Sequence, residues 1–175
     1  MGLAMSYLRL PPSLEGERDP GRIAALAFGP RDWRRRHPAD RVLDVGGAWQ
    51  ALHYLITGDP WEGGQPQSDI VCGGRLLTED GAADLGSGGP GMDVIYLDPE
   101  RVRPAADHLA ATPFDRLAER FDLPAMVAAE VQDAGEMDAG TRDRVLRPAY
   151  ERLTRLFASA AADGQAVYKT MAPQA

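Results

Sequence analysis

A chain of 175 residues, 44% hydrophobic and 26% charged, has the size and composition of one soluble globular domain and can bury roughly two thirds of the surface its unfolded form exposes. Disorder along the whole length is excluded, and a net charge of -7 argues against general nucleic-acid binding, whose affinity comes mainly from neutralised phosphate. The lone cysteine, Cys72, rules out an intrachain disulfide and fits a reducing compartment.

The opening MGLAMSYLRL lacks a basic leader region, and its apolar run is too short and broken for a signal peptide or a membrane span. A cytoplasmic protein without membrane association is expected. Loose alternation over residues 3–10, stopped by Pro11-Pro12, predicts a first strand. Asp19 can cap a helix with Pro20 at its first position; Ile23, Leu26 and Ala27 supply the apolar stripe, and Gly29-Pro30 ends it. Residues 30–42 follow as an arginine-rich connector. Within it, RDWRRRHPADR (31–41) interleaves Trp33 and His37 with arginines, a pattern able to grip phosphate or an acidic partner but read here as a solvated connector.

The next helix takes Asp44 as its N-cap and Gly58 as its left-handed terminator. At 100° steps Leu55, Ala48, Leu52, Ile56 and Trp49 share one face, and His53 falls at the rim of that face. Gln50, Tyr54 and Thr57 take the other side. Residues 58–91 read as a Gly/Pro-rich loop region with one short element, and residues 92–98 as a buried strand. Asp98 with Pro99 starts a helix lined by Val102, Ala106 and Leu109; Thr112-Pro113 starts another lined by Phe114, Leu117, Ala118 and Phe121. A short helix over 124–132 and the loop DAGEMDAG precede a long helix reaching about Asp163, with Leu146, Tyr150, Leu153, Phe157 and Ala160 inward. Pro148 makes that helix either kink or begin there, Gly164 ends it, and residues 166–171 form a last strand. The expected fold is α+β: one domain over 1–175, several helices packed on a small, mainly antiparallel or mixed sheet.

Few residues carry recognisable chemistry. Gly86, Gly88 and Gly91 spell G-x-G-x-x-G, but a loop precedes the motif and a strand follows it, the wrong order for a dinucleotide site; a flexible turn is expected and no cofactor. Cys72 lies near His53 in chain order, so a Cys-His pair is conceivable, although a cysteine among Ile70 and Val71 reads as a small buried hydrophobe. His37, His53 and His108 lack metal-ligand spacing, and Asp133, Glu136 and Asp138 miss the calcium-loop pattern, so no metal is expected. His108 is accounted for by the dipole at its helix end.

His53 remains. Its i, i+4 relation to Trp49 lets the imidazole lie along the indole, and a rim position could open onto a cleft lined by Tyr54 or Asp59. There it could act as acid, base or anchor; the competing reading is a packed histidine bonded to a backbone carbonyl. The candidate binding residues are Trp49, His53, Tyr54, Thr57 and Asp59, with His53 the one catalytic candidate.

AWQALHYLITG with Trp49, His53, Thr57 and Gly58, the pair Gly73-Gly74, Tyr96-Leu97 and the opening Met1-Gly2-Leu3 stand at matching places in a known pattern. The chain resembles the uncharacterised bacterial family known as domain of unknown function 1877, the YfbM-like proteins. The resemblance implies a compact, intracellular α+β domain and supplies no reaction. Val131-Gln132-Asp133 replaces an aromatic-proline stretch of the family pattern, and the segment 31–41 has no counterpart in it.

Three functions are carried forward: a binding or interaction module for a protein partner or small ligand; a small hydrolase or transferase with His53 as general acid or base, oriented by Asp44, Asp59 or Tyr54; and an immunity-like or antitoxin-like protein whose acidic surface suits a basic toxin. A concave pocket containing His53 would separate the functional readings of that residue from the packed one.

Overall fold

The computed structural model describes residues 2–79, 81, 83–85 and 93–174. Its frame is a five-stranded antiparallel sheet in the order β2-β1-β5-β4-β3. The strands are β1 (Leu3–Leu10), β2 (Val42–Gly46), β3 (Arg75–Leu76), β4 (Asp93–Leu97) and β5 (Ala166–Pro173). The first and last strands pair along their whole length at the centre, from Leu3 opposite Pro173 to Leu10 opposite Ala166. Successive side chains alternate between two covered faces. Met5, Tyr7, Leu97 and Val167 enter a larger core, and Leu8, Leu10, Val94, Ala166 and Tyr168 a smaller one. Burial on both faces explains why β1 alternates only loosely in sequence.

The helices divide between those faces. Helix α1 (Pro20–Phe28) starts at Asp19, whose side chain accepts the Arg22 N–H, and covers the smaller core with Ile23, Ala24, Ala27 and Phe28. Leu26, assigned to its inner stripe, is instead 46% exposed. The larger core is roofed by α2 (Trp49–Thr57), α3 (Pro99–Ala111), α4 (Phe114–Ala118), α5 (Leu123–Ala128) and the run α6 (Ala139–Thr141) to α7 (Arg147–Ala162). Pro148 sits in the first turn of α7, and the five residues before that helix, Arg142–Leu146, form a π turn. The wider turn accommodates a proline that cannot donate back to the preceding turn. No helix among the described residues is long and apolar enough to cross a membrane.

Two expectations need correction. Asp44 does not cap α2; it lies on β2, where its carboxylate accepts the Gly46 N–H at 2.8 Å, and α2 begins at Trp49 without a side-chain cap. Leu43 and Val45 decide this, because both are buried at period two, and Leu43, Asp44 and Gly46 pair with Tyr7, Ser6 and Met5 of β1. The segment 30–42 is also more than a solvated connector. Trp33 is 2% exposed and meets Phe28 edge-on at 4.8 Å; the Arg34 guanidinium stacks 4.6 Å above the indole and donates to Ser6 Oγ at 2.9 Å. Arg9 fastens the far end of the segment by donating to the Asp40 carboxylate at 2.8 Å, while also reaching Asp163 at 3.0 Å and Gln165 at 2.6 Å. The motif at Gly86, Gly88 and Gly91 lies outside the described residues.

If Trp33 is an anchor, Trp33→Ala is expected to cost about 3–5 kcal/mol in urea unfolding, as large-to-small core changes do. Arg36→Ala, three residues away and exposed, is expected to stay within about 0.5 kcal/mol. Equal, small losses from both would return the segment to the status of a connector.

Candidate functional site

Helix α2 ends where Gly58 adopts φ 86 and its N–H returns to the Tyr54 carbonyl. The chain then reverses. The Asp59 carboxylate accepts the N–H groups of Trp61 and Glu62, both at 2.8 Å, and the Thr57 hydroxyl accepts the Asp59 N–H at 3.1 Å. This turn sends residues 59–63 back along α2. Gln50 Nε2 donates to the Pro60 carbonyl at 3.3 Å, and His53 Nε2 bonds the Glu62 carbonyl at 2.9 Å. At Gly63 (φ 151) a Cβ would lie 2.8 Å from the Thr57 Cβ, so only glycine lets the strand of loop pass this close.

The other side of α2 is tied to the start of β1. Trp49 Nε1 donates to the Leu3 carbonyl at 3.0 Å. Gln132, in the stretch that departs from the family pattern, accepts the Leu3 N–H at 2.9 Å and donates to the Leu3 and Gly47 carbonyls at 3.0 and 3.2 Å. Its own N–H donates to Gln50 Oε1 at 2.7 Å, so Gln50 links this clamp to the returning loop.

A second knot holds residues 67–74. Lys169 projects from β5 into the larger core, fully buried, and donates to the Asp69 carbonyl at 2.5 Å and the Gly73 carbonyl at 2.6 Å. Tyr7 Oη donates to the Ile70 carbonyl at 2.8 Å. The buried Asp69 carboxylate receives Arg101 Nε at 3.0 Å and Arg101 Nη2 on its other oxygen. Gly73 and Gly74 are required here, since a Cβ at the first would press on Ser68 and Asp69 and at the second on the Tyr96 carbonyl 2.7 Å away.

The candidates drawn from sequence therefore land in different settings. Trp49 is buried, and Tyr54 is half-buried against the larger core. Thr57 and Asp59 shape the turn. His53 is not at a rim; it is fully buried because the loop folds over it, and it lines none of the described clefts. Its Nδ1 has no hydrogen-bond partner among the described residues. What the sequence reading passed over is Lys169, Asp69, Arg101, Gln132 and Trp61, whose indole is 56% exposed while resting 5.3 Å from that of Trp49. One signal was available: Lys169 is the chain's single lysine, placed in a predicted strand in phase with buried Val167.

A family model described as "Domain of unknown function (DUF1877)" matches residues 1–170. The chain belongs to this family. A solved DUF1877-like fold, titled as the crystal structure of a protein of unknown function, YfbM from Escherichia coli, matches with a TM-score of 0.66 at 13% identity, covering 97% of this chain and 99% of that one. At that identity the likeness speaks for the fold alone. No curated protein matches the chain.

Electrostatics in this DUF1877 domain follow from burial. Burial pushes the Cys72 thiol up to about 11, so near neutrality it is a thiol and not the attacking thiolate. Burial lowers His53 below its usual value, with the Glu62 carbonyl acting the other way and Lys169 reinforcing the drop. The same effect takes Lys169 from an ordinary 10.5 down to about 7, opposed by Cys72 and Asp69. Among the described residues no three His, Cys, Asp or Glu side chains converge as metal ligands.

A lysine whose folded pKa is depressed takes up a proton on unfolding at any pH between its folded and unfolded values, so stability rises with pH from about 7 upward. Cys72, raised from 9.0 to about 11, opposes that rise above pH 9. Urea unfolding across pH 7 to 9 should therefore show increasing stability in the natural protein and a flatter profile in Lys169→Met. A natural profile already flat in that window would mean that the two carbonyls hold the ammonium fully charged.

Proposed function

We propose that the protein is a binding module that presents the stretch 58–74 to a protein partner with a basic surface and performs no chemistry of its own. The observation that carries this reading is the exposure of Trp61, 56%, on a stretch whose backbone is otherwise pinned from beneath by buried side chains. Gln50, His53, Tyr7 and Lys169 all reach out of the core to carbonyls of this one segment. A loop held in that way has given up its freedom before any partner arrives, which lowers the ordering cost of association. Tryptophan is the side chain most enriched at energetic centres of interfaces.

The surroundings favour a particular kind of partner. Asp59 and Glu62, both exposed, flank the indole, and the chain carries a net charge of -7. An apolar pocket rimmed by arginine or lysine would complement such a patch and gain in association rate. Trp61 lines none of the described clefts, which suits contact with a partner's surface better than enclosure of a small ligand. An immunity-like or antitoxin-like role is the form of this reading in which the basic partner is a toxin. The hydrolase or transferase reading draws less support, because a substrate could reach His53 Nε2 only by displacing the Glu62 carbonyl.

A photo-reactive residue at position 61, compared in cells with one at the exposed Leu26 across the sheet, tests the proposal. Discrete adducts are expected from position 61 alone, and Trp61→Ala is expected to weaken the purified partner's binding by about tenfold or more. Identical adducts from both positions, or undiminished binding by a folded Trp61→Ala protein, would sink it.

A further inference from the structure

A second surface has a different chemistry. Between the C-terminal turn of α2, the end of α3 and helix α4 lies a cleft of about 520 Å3, lined by His108, Thr112, Arg116, Glu119, Arg120 and Gln67 over a floor of Ile56 and Leu117. Arg120 is fixed there: its Nη1 donates to the last-turn carbonyls Leu55 at 2.9 Å and Ile56 at 3.0 Å, meeting the negative end of α2 with its own charge. Its Nε and Nη2 bond nothing among the described residues. The Arg116 guanidinium and both ring nitrogens of His108 are likewise without partners among the described residues, and Glu119 forms no ion pair with either arginine. Three nitrogen-bearing side chains thus face one concavity with unused donors, in a chain whose overall charge is -7.

Some arginines of this chain find carboxylates, as Arg36 does with Asp32, Arg142 with Asp143 and Arg147 with Asp115. What sets Arg116 and Arg120 apart is that both line one cleft. Arg116, on α4, and Arg120, in the turn that follows it, both line this cleft, so two like charges share one concavity and repel each other. Such repulsion is relieved when an anion sits between them. Guanidinium forks match the oxygens of a phosphate with paired, charge-assisted bonds, and a concave, partly apolar wall strengthens the local field.

We infer that this cleft binds a small phosphate-bearing molecule, its phosphate held between Arg116, Arg120 and His108, with Gln67 and Thr112 able to meet the rest of the ligand over Ile56 and Leu117. The site meets the stretch 58–74 only at Gln67, does not include Trp61 and needs no partner protein. Its floor is made by the same α2 turn that Arg120 fastens, so the guanidinium is already oriented when the ligand enters. The dianion of phosphate is favoured over a single carboxylate because at least two positive groups share the concavity.

The test uses the full chain, backbone-amide NMR, and inorganic phosphate and pyrophosphate as probes, with sodium chloride and acetate at matched ionic strength. Saturable shifts are expected at Gln67, His108, Thr112 and Arg116 with phosphate and pyrophosphate, and none with chloride. Acetate separates phosphate recognition from general anion attraction; equal saturable binding of acetate would overturn the phosphate assignment. Arg116→Glu is expected to weaken pyrophosphate binding by about tenfold or more, and Glu119→Gln to strengthen it severalfold. Arg22→Glu, an exposed change of the same size on the opposite face of the sheet, measures the effect of net charge alone. Arg120 is left intact because it also holds the end of α2. Non-saturating shifts spread over the surface, or equal losses from Arg116→Glu and Arg22→Glu, would overturn the site. Trp61→Ala leaves this binding unchanged, so failure here and failure of the protein-partner reading are told apart.

Discussion

An ammonium group inside a hydrophobic core must be solvated by the protein, and the arrangement of residues 67–74 is the consequence of placing Lys169 on the central strand. β5 lies between β1 and β4, and the register that sets Tyr7 and Ile95 beside Lys169 leaves its side chain no way out to water. The nearby carboxylate, Asp69, is already held by Arg101. Backbone carbonyls are what remains, and the turn over Gln67–Ile70 followed by Gly73-Gly74 brings two of them to Nζ. Arg101 and Tyr7 then secure the outside of the same turn from α3 and β1.

With its far end fixed at that turn and its near end fixed at Gly58, the intervening stretch 59–66 has little choice of path. It lies along α2, and this decides the surroundings of His53 and Trp61 together. The imidazole is covered because the Glu62 carbonyl descends onto it, while the next side chain along, that of Trp61, is carried over Trp49 and left half in solvent. One buried histidine and one exposed tryptophan are therefore two results of a single chain reversal. Neither can be moved without disturbing the other.

Local signals made much of this readable. Asp19-Pro20 and Asp98-Pro99 announce helix starts because cap and first-turn proline act within a few residues, and Val102, Ala106 and Leu109, like Leu146 to Ala160, show their inner faces by spacing alone. β2 was hidden because Asp44 suits a cap as well as an exposed strand position, and only pairing with β1 separates the two. His53 was open to a rim reading or to packing against a backbone carbonyl, and that the packed one holds has a cause the spacing could not show. A helical wheel gives direction about the helix axis but not what later chain will cover, and α2 is covered on its outer side by residues that follow it. The partners of Lys169 lie 100 and 96 residues away in sequence, a distance at which no spacing pattern survives. Trp33 reads as part of a charged run until Phe28 and the Arg34 guanidinium are seen against its ring.

A methionine at position 169 would fill the same volume without asking for carbonyls, and replacing buried charge by apolar groups is often neutral or stabilising. The retained lysine therefore makes most sense as a device of conformation rather than of stability. With methionine there, the carbonyls of Asp69 and Gly73 would lose their shared donor and would be better satisfied facing water, which offers the segment other paths. With the Lys169 amino group in place, charged or neutral, only one path satisfies all three groups. That single path fixes both the level at which Trp61 stands above α2 and the position of Gln67 at the mouth of the cationic cleft. The Trp61 surface and the cationic cleft are thus held in register by one buried lysine.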